Sequence, residues 1–191
     1  VGFKEKAFDC LDELDPLAKL IGSVNFIEKT ADGRLRGHNT DGIGYATALE
    51  GMLHARQQNL RGKNVLMLGA GGTAGAVAFA LAERGARLAI VNRTAARAAA
   101  LASRINSVYT DERVAGSDET AIDDLAATAD IVVNVSTKGA AGPLAQYSAL
   151  GPAELPVTSG NLKQNLTRAN QILDRIPPGA ILSDVVIVNG G

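Results

Sequence analysis

A glycine-rich loop directly after a short apolar run constrains this chain's fold more than any other feature. The apolar run covers residues 64–68 and has the length and character of a buried parallel strand. Small residues at helical spacing follow the loop over residues 73–84, and a second apolar run occupies residues 87–91. The order strand, glycine turn, helix and strand predicts a βαβ unit and therefore an α/β fold.

The loop has the pattern G-x-G-x-x-A, which is typical of dinucleotide-binding folds. The first glycine allows a tight turn, the second lets the backbone approach a pyrophosphate, and the alanine keeps helix and strand close. Free N–H groups at the helix N-terminus attract the anion. The loop consists of Gly69, Ala70, Gly71, Gly72, Thr73 and Ala74. An ordinary glycine turn is the alternative. We predict a dinucleotide site in a Rossmann-like, doubly wound parallel sheet.

The residues after the second strand favour NADP over NAD. An NAD site usually has an acidic residue about 20 positions beyond the loop, whereas this chain has Asn92, Arg93 and Thr94 there. Arg93, with Arg97 one helical turn later, offers charged donors to a 2′-phosphate that a carboxylate would repel. In the alternative, both arginines are solvated residues at the start of a helix.

A third apolar run, over residues 130–134, places the next loop at the same sheet edge. Ser136 and Thr137 in that loop are candidate contacts to the ribose or nicotinamide, and a turn capped by its own hydroxyls is equally compatible. The remaining predicted elements are a helix at 95–105, a polar stretch through 120, a helix at 122–127, a loop at 139–160, a helix at 162–175 and a strand at 180–188.

The first 59 residues have a different pattern. Leucines at helical spacing predict an amphipathic helical segment over residues 4–20, broken at Pro16. Two extended pieces, 22–29 and 34–39, flank an Asp-Gly turn and predict a hairpin. A helix is predicted over residues 42–57 and would connect two domains.

Composition excludes several classes of protein. With 19 basic and 20 acidic residues and a net charge of −1, the chain lacks the basic surface of a nucleic-acid binder. Cys10, His38 and His54 cannot form a zinc cluster, so no metal is predicted. No apolar run reaches the roughly 20 residues that span a bilayer, and we expect a cytoplasmic protein without a membrane partner. The ends predict a piece of a longer polypeptide. A homodimer is compatible with the sequence.

Several polar residues in the first part of the chain would suit a hydride-transfer site: Lys4, Asn25, Asn39, Thr40 and Asp41. Hydride delivered to a carbonyl leaves an alkoxide, which a lysine can protonate, and a nearby carboxylate would hold that ammonium. From the residues alone, Lys4 is more simply a surface lysine and Asp41 a helix cap.

The motifs, in their order along the chain, resemble those of the shikimate dehydrogenase family. They are residues 4–6 (KEK), 11–14 (LDEL), 21–25 (IGSVN), 37–44 (GHNTDGIG), 69–72 (GAGG) and 92–94 (NRT). The resemblance implies that Lys4 and Asp41 form the catalytic pair. It also implies that Asn25 and Asn39, with Thr40 as a weaker contact, bind a small alicyclic hydroxy acid.

The family's activity is the NADP-dependent reversible reduction of 3-dehydroshikimate to shikimate, in the pathway to aromatic amino acids. The implied domains are residues 1–59, the C-terminal part of a smaller α/β substrate-binding domain plus a linker helix, and residues 60–191, the NADP-binding domain. Gly2, Phe26 and Ile187 replace the family's usual Pro, Thr and Tyr. A dehydrogenase for quinate or another small acid, an NADP enzyme acting on an aminated or pterin-like substrate, and a non-catalytic metabolite sensor are the alternatives.

Overall fold

The computed structural model describes residues 8–109 and 113–185 of the 191-residue chain. A 3-10 turn at Glu119–Ala121 precedes the short helix at Ile122–Ala126. The elements, in order, are β1 (Glu13–Leu14), α1 (Pro16–Ile21), β2 (Phe26–Lys29), β3 (Leu35–His38), α2 (Asp41–Ala55), β4 (Asn64–Leu68), α3 (Gly72–Glu83), β5 (Arg87–Val91), α4 (Ala95–Asn106), β6 (Val114–Ser117), α5 (Ile122–Ala126), β7 (Ile131–Asn134), α6 (Ser159–Leu173) and β8 (Ile181–Asp184).

Five parallel strands form the large sheet in the order β6-β5-β4-β7-β8. Within this sheet β4 is the central strand and comes first along the chain. Strands β5 and β6 follow on one side of β4, and the chain then crosses to the other side of β4 to form β7 and β8. This order places the topological switch point at the carboxyl ends of β4 and β7, where ligands of such sheets bind. The predicted Rossmann-like sheet is confirmed.

Helices cover both faces of this sheet. Val65 and Met67 of β4 join a core with α2, α3 and α4, whereas Leu66 and Leu68 join a second core with α5 and α6. Successive side chains of a strand point to opposite faces, so an unbroken apolar run is required when both faces are covered. The doubly wound arrangement is therefore also confirmed.

The small sheet has the order β1-β3-β2, with the predicted hairpin formed by β2 and β3. The prediction of helical structure was wrong over residues 11–15, where Glu13–Leu14 instead pairs in parallel with β3. Leu11 and Leu14 cover Gly37 of β3, so their spacing reflects packing on the sheet. Pro16 begins α1, capped by the Asp15 carboxylate, which accepts from Leu17 N at 2.6 Å.

Strand β6 was missed because its sequence, Val-Ala-Gly-Ser, has little apolar bulk. It is an edge strand that pairs with β5. A side chain at Gly116 would overlap the backbone of Ala98 in α4, so the helix lies directly on the strand. Small residues are thus required in an edge strand that a helix covers closely. Because they do not form an apolar run, the sequence pattern does not indicate a strand there.

Helix α2 crosses α3 at very short range. A Cβ atom at Gly42 would overlap the carbonyl group of Ala76, one turn into α3. Leu49 and Leu53 of α2 are 3% and 1% exposed and belong to the core of the large sheet. Helix α2 is therefore firmly packed on the nucleotide-binding fold.

The remaining elements agree with prediction to within a few residues. The loop predicted over 139–160 contains no helix or strand up to Thr158, which caps α6 by accepting from Asn161 N at 3.1 Å. Strand β8 ends at Asp184, and the rest of the predicted strand, from residue 186, lies outside the described residues. Within the described ranges, no helix has the length and apolar character needed to cross a membrane.

Candidate functional site

The ends of β4, β5 and β7 meet at one edge of the large sheet. Gly69 N donates to Val91 O at 2.8 Å, and Val135 N donates to Leu68 O at 2.9 Å. A cleft lies between these ends. Predicted residues that line it are Gly69, Ala70, Gly71, Asn92, Arg93, Thr94, Arg97, Ser136 and Thr137.

The first two glycines of the loop have different structural roles. Gly69 has a φ of +122°, and a Cβ there would lie 2.9 Å from the backbone of Val135 and Ser136. Gly71, the N-cap of α3, has φ −90° and ψ −172°, and a Cβ there would have no atom within 4 Å. Gly69 is thus required by the protein's own packing, whereas the space beside Gly71 is open for a ligand.

The rest of the loop belongs to the start of α3. Gly72 lines a second depression together with Gly71, Arg97 and Arg104, and Thr73 is half-buried in the first turn. Ala74 is fully buried in the core beneath the helix. The buried Ala74 fits the predicted role of a small residue that lets helix and strand approach closely.

Arg93 and Arg97 present an unneutralised positive charge to the cleft. Both side chains are exposed, and no carboxylate in residues 8–109 or 113–185 forms an ion pair with either one. Thr94 caps α4 without a side-chain hydrogen bond, and the first turn of this helix has no acidic residue. Cations are unfavourable at a helix N-terminus unless an anion joins them, so this arrangement suits a phosphate.

The loop after β7 is held by Asn134. Its Oδ1 accepts from Ser136 N at 3.0 Å and Ser136 Oγ at 2.8 Å, while its Nδ2 donates to the Asp184 carboxylate at 3.2 Å. The Ser136 hydroxyl is thus engaged in a turn capped by its own side chains, in agreement with the alternative prediction for this residue. Thr137 is exposed at the cleft.

Two further residues on this cleft, Lys138 and Glu119, were not predicted as site residues. Lys138 Nζ donates to Glu119 Oε1 at 2.8 Å and to Gly151 O at 2.7 Å. Lys138 is 6% exposed. Its position next to Thr137 was a usable signal, but Glu119 follows β6, the strand that the sequence did not reveal.

A second polar cluster lies where β3 leads into α2. Asn25 Nδ2 donates to Asp41 Oδ1 at 2.5 Å and to Thr40 Oγ1 at 3.1 Å, and Asn25 Oδ1 accepts from Thr40 N at 2.9 Å. Asn25 and Thr40 are exposed, and Asp41 is half-buried. Three of the predicted site residues are therefore brought together in an accessible cluster.

Asn39 belongs to the same segment but faces inward. It is 2% exposed, its Nδ2 donates to Ser23 O at 3.1 Å and Ser23 Oγ at 3.0 Å, and its Oδ1 accepts from Asp41 N at 3.1 Å. These bonds fix the backbone at Asp41 and engage the Asn39 amide within the protein. Lys4 lies outside the described residues.

In the described part of the chain, no three His, Cys, Asp or Glu side chains are grouped so that they could hold a metal ion.

Comparison with known proteins relates this geometry to a family. The family model described as shikimate / quinate 5-dehydrogenase matches residues 52–150, which is more than half of the chain. The chain belongs to the shikimate / quinate 5-dehydrogenase family. The matched range includes the glycine loop, the arginine segment and the loop after β7.

Individual members of the shikimate / quinate 5-dehydrogenase family agree with this assignment. The shikimate dehydrogenase (NADP(+)) of Methanosarcina acetivorans is 41% identical over 125 residues, covering 65% of this chain and 43% of that protein. This chain spans about half the length of the curated relatives it matches.

Solved structures of the same family superimpose on nearly the whole chain. A shikimate dehydrogenase in complex with NADP+ has a TM-score of 0.68 at 29% identity, covering 96% of this chain and 63% of that one. The quinate dehydrogenase of Corynebacterium glutamicum in complex with NAD has a TM-score of 0.63 at 31% identity, covering 91% of this chain and 68% of that one.

Proposed function

We propose that this protein catalyses the NADP-dependent reversible reduction of 3-dehydroshikimate to shikimate. The proposal rests on the family, on the accessible Asn25–Thr40–Asp41 cluster and on the phosphate-suited cleft at the carboxyl edge of the large sheet. The substrate is a small alicyclic hydroxy acid, which the exposed amide and hydroxyl groups of this cluster are suited to bind.

The residues of the cleft fit NADP. The open space at Gly71 and the uncapped N-terminus of α3 would receive the pyrophosphate. Arg93 and Arg97, with Asn92 and Thr94, would bind the 2′-phosphate, and Thr137 would contact the ribose or nicotinamide side. When bound, the nicotinamide supplies or accepts the hydride.

The protein's own residues would carry out the proton transfer that accompanies hydride transfer. Lys4 would donate a proton to the oxygen that becomes a hydroxyl, and Asp41 would position Lys4 and the substrate. Asn25 holds one oxygen of the Asp41 carboxylate and so limits the rotation of that side chain. Asn39 would support this arrangement by binding the Asp41 backbone, and its predicted contact with substrate would compete with those internal bonds.

The observation that carries the proposal is the connection between Asp41 and the nucleotide cleft. Asp41 begins α2, and the next residue, Gly42, lies directly against Ala76 of α3. The N-terminus of α3 is the glycine loop. A carboxylate suited to proton chemistry is therefore anchored beside the helix that would receive the cofactor.

The test is to mix the protein with shikimate and NADP+ and follow the absorbance of the reduced nicotinamide. We expect a rise with shikimate and NADP+, and a smaller kcat/KM with quinate or with NAD+. No rise with either acid under either cofactor would overturn the proposal. A larger kcat/KM with quinate would assign the protein to quinate oxidation, the reaction suggested by the Corynebacterium relative.

Dinucleotide binding without turnover of any acid would favour the sensor alternative. The division into residues 1–59 and 60–191, the homodimer and the cytoplasmic location stay predictions. Limited proteolysis tests the first, and sedimentation of the purified protein tests the second.

A further inference from the structure

Lys138 is a buried lysine on the wall of the nucleotide cleft. Its ammonium donates to Glu119 Oε1 at 2.8 Å, to Gly151 O at 2.7 Å and to Ala149 O at 3.5 Å. The side chain is 8% exposed, against 31% for Glu119. Burying a lysine is costly unless it is paired and hydrogen-bonded, and here it has three acceptors.

Glu119 lies on the side of the cleft that would receive the 2′-phosphate. It follows β6, whose last residue, Ser117, accepts a hydrogen bond from Asn92 N at 3.2 Å. Glu119 lines the same cleft as Arg93 and Arg97. Without a partner, its carboxylate would repel a phosphate there and weaken the field of the two arginines.

We propose that Lys138 neutralises Glu119 so that the cleft accepts a 2′-phosphorylated dinucleotide, which makes the Lys138–Glu119 pair a determinant of cofactor specificity. The inference rests on the proposed use of NADP. Lys138 acts on the cofactor through Glu119, by removing a repulsion rather than by contacting the phosphate.

The pair also joins the 3-10 turn after β6 to two parts of the loop between β7 and α6, so a purely structural role must be separated from the electrostatic one. Loss of loop structure would weaken NAD+ and NADP+ alike, because both share the adenosine and pyrophosphate. Loss of charge neutralisation would weaken NADP+ alone, because only NADP+ has the 2′-phosphate. The ratio of the two affinities therefore distinguishes the roles.

The experiment is a double-mutant cycle on Lys138→Met and Glu119→Gln, with titration of NADP+ and NAD+ and measurement of KM and kcat. Methionine keeps the apolar stem of lysine without its charge. We expect Lys138→Met to weaken NADP+ binding by about tenfold and NAD+ binding by less than about threefold, with KM affected more than kcat. The double variant should recover NADP+ affinity to within about threefold of the parent.

Glu119→Gln alone provides a second measurement in case Lys138→Met fails to fold. It keeps both carbonyl partners of Lys138 and leaves the ammonium unneutralised, so NADP+ should bind about threefold more tightly and with a steeper salt dependence. Equal weakening of both cofactors, no recovery in the double variant, or an unchanged Glu119→Gln affinity would overturn the proposal. If the parent protein binds NADP+ and only the cycle fails, the proposed function stands; if the parent binds neither cofactor, both fail.

Discussion

Asn25 donates a hydrogen bond to Asp41 across sixteen positions of the chain, with 2.5 Å between Nδ2 and Oδ1. The bond connects the start of the β2–β3 hairpin to the first residue of α2. A carboxylate held in this way loses rotational freedom before a substrate arrives, which lowers the entropic cost of positioning a proton donor. Asp41 is thus preorganised by an amide that the sequence had assigned only to the substrate.

Asp41→Asn tests the proposed proton chemistry. The amide keeps the size of the side chain but cannot hold an ammonium by charge, so kcat should fall by about a hundredfold or more while NADP+ affinity changes little. Steady-state kinetics with shikimate checks this result. Asp32→Asn, in the exposed hairpin turn, is the matched control. Equal kcat values for the two variants would remove Asp41 from the mechanism.

Gly71→Ala should separate cofactor binding from folding. The dihedral angles of Gly71 suit alanine, and the added Cβ would have no protein atom within 4 Å, so stability should be nearly unchanged. The affinity for NADP+ should fall at least tenfold, which corresponds to about 1.4 kcal/mol of binding free energy. Gly69→Ala, with φ +122° and a Cβ 2.9 Å from backbone, should instead destabilise the fold by about 1–3 kcal/mol. Thermal unfolding and titration of both variants would reveal any reversal of this order.

Gly42→Ala and Gly44→Ala test the crossing of α2 and α3. Both glycines lie in α2, but a Cβ would overlap the Ala76 carbonyl at Gly42 and meet nothing within 4 Å at Gly44. We expect Gly42→Ala to cost about 1–3 kcal/mol of unfolding free energy and Gly44→Ala to add about 0.5–1 kcal/mol. Urea midpoints check the signs. A neutral Gly42→Ala would mean that the helices do not touch there.

Arg97→Gln tests recognition of the 2′-phosphate. Removing one of two cations that have no ion-pair partner within residues 8–109 and 113–185 should weaken NADP+ binding by about tenfold and leave NAD+ binding nearly unaffected. Arg87→Gln, at the amino end of β5 and therefore at the opposite edge of the sheet, is the control. A parallel loss for both cofactors would mean that Arg97 supports the fold rather than the phosphate.

Tyr45→Phe tests a buried hydroxyl in α2. Among the described residues the buried Tyr45 hydroxyl meets only Ser183, and without a hydrogen bond of normal geometry, so its removal should stabilise the fold by about 1 kcal/mol at neutral pH. Burial raises the pKa of Tyr45, and Ser183 offsets part of the rise. The folded state therefore keeps a proton that the unfolded chain loses near pH 10, and stability falls as pH rises above that value. This alkaline loss should be smaller in the phenylalanine variant. Urea unfolding at pH 7 and above pH 10 would test both points.

The sequence predicted the large sheet well because its strands are continuous apolar runs and its turns contain diagnostic glycines. It missed β6, where small residues replace apolar ones beneath α4, and it misassigned Glu13–Leu14, whose leucine spacing arises from contacts with Gly37. Both errors have one cause. The spacing of apolar residues indicates periodicity within a segment, whereas the edge strands β6 and β1 form because of their contacts with β5 and β3.

The candidate site shows the same division. The glycine loop and Arg93 belong to local sequence motifs that indicate a dinucleotide site without any knowledge of the fold. The inward orientation of Asn39 and the pairing of Lys138 with Glu119 depend on residues far apart in sequence, and no motif records them.

The contact between Gly42 and Ala76 also limits how a protein of this design can move. With no side chain between the two helices, α2 cannot slide or tilt on α3 without a steric clash. Asp41 and the glycine loop thus lie at the N-termini of two helices whose relative position is fixed. The distance between the Asp41 carboxylate and a dinucleotide bound at the glycine loop is therefore set by the scaffold before either ligand binds.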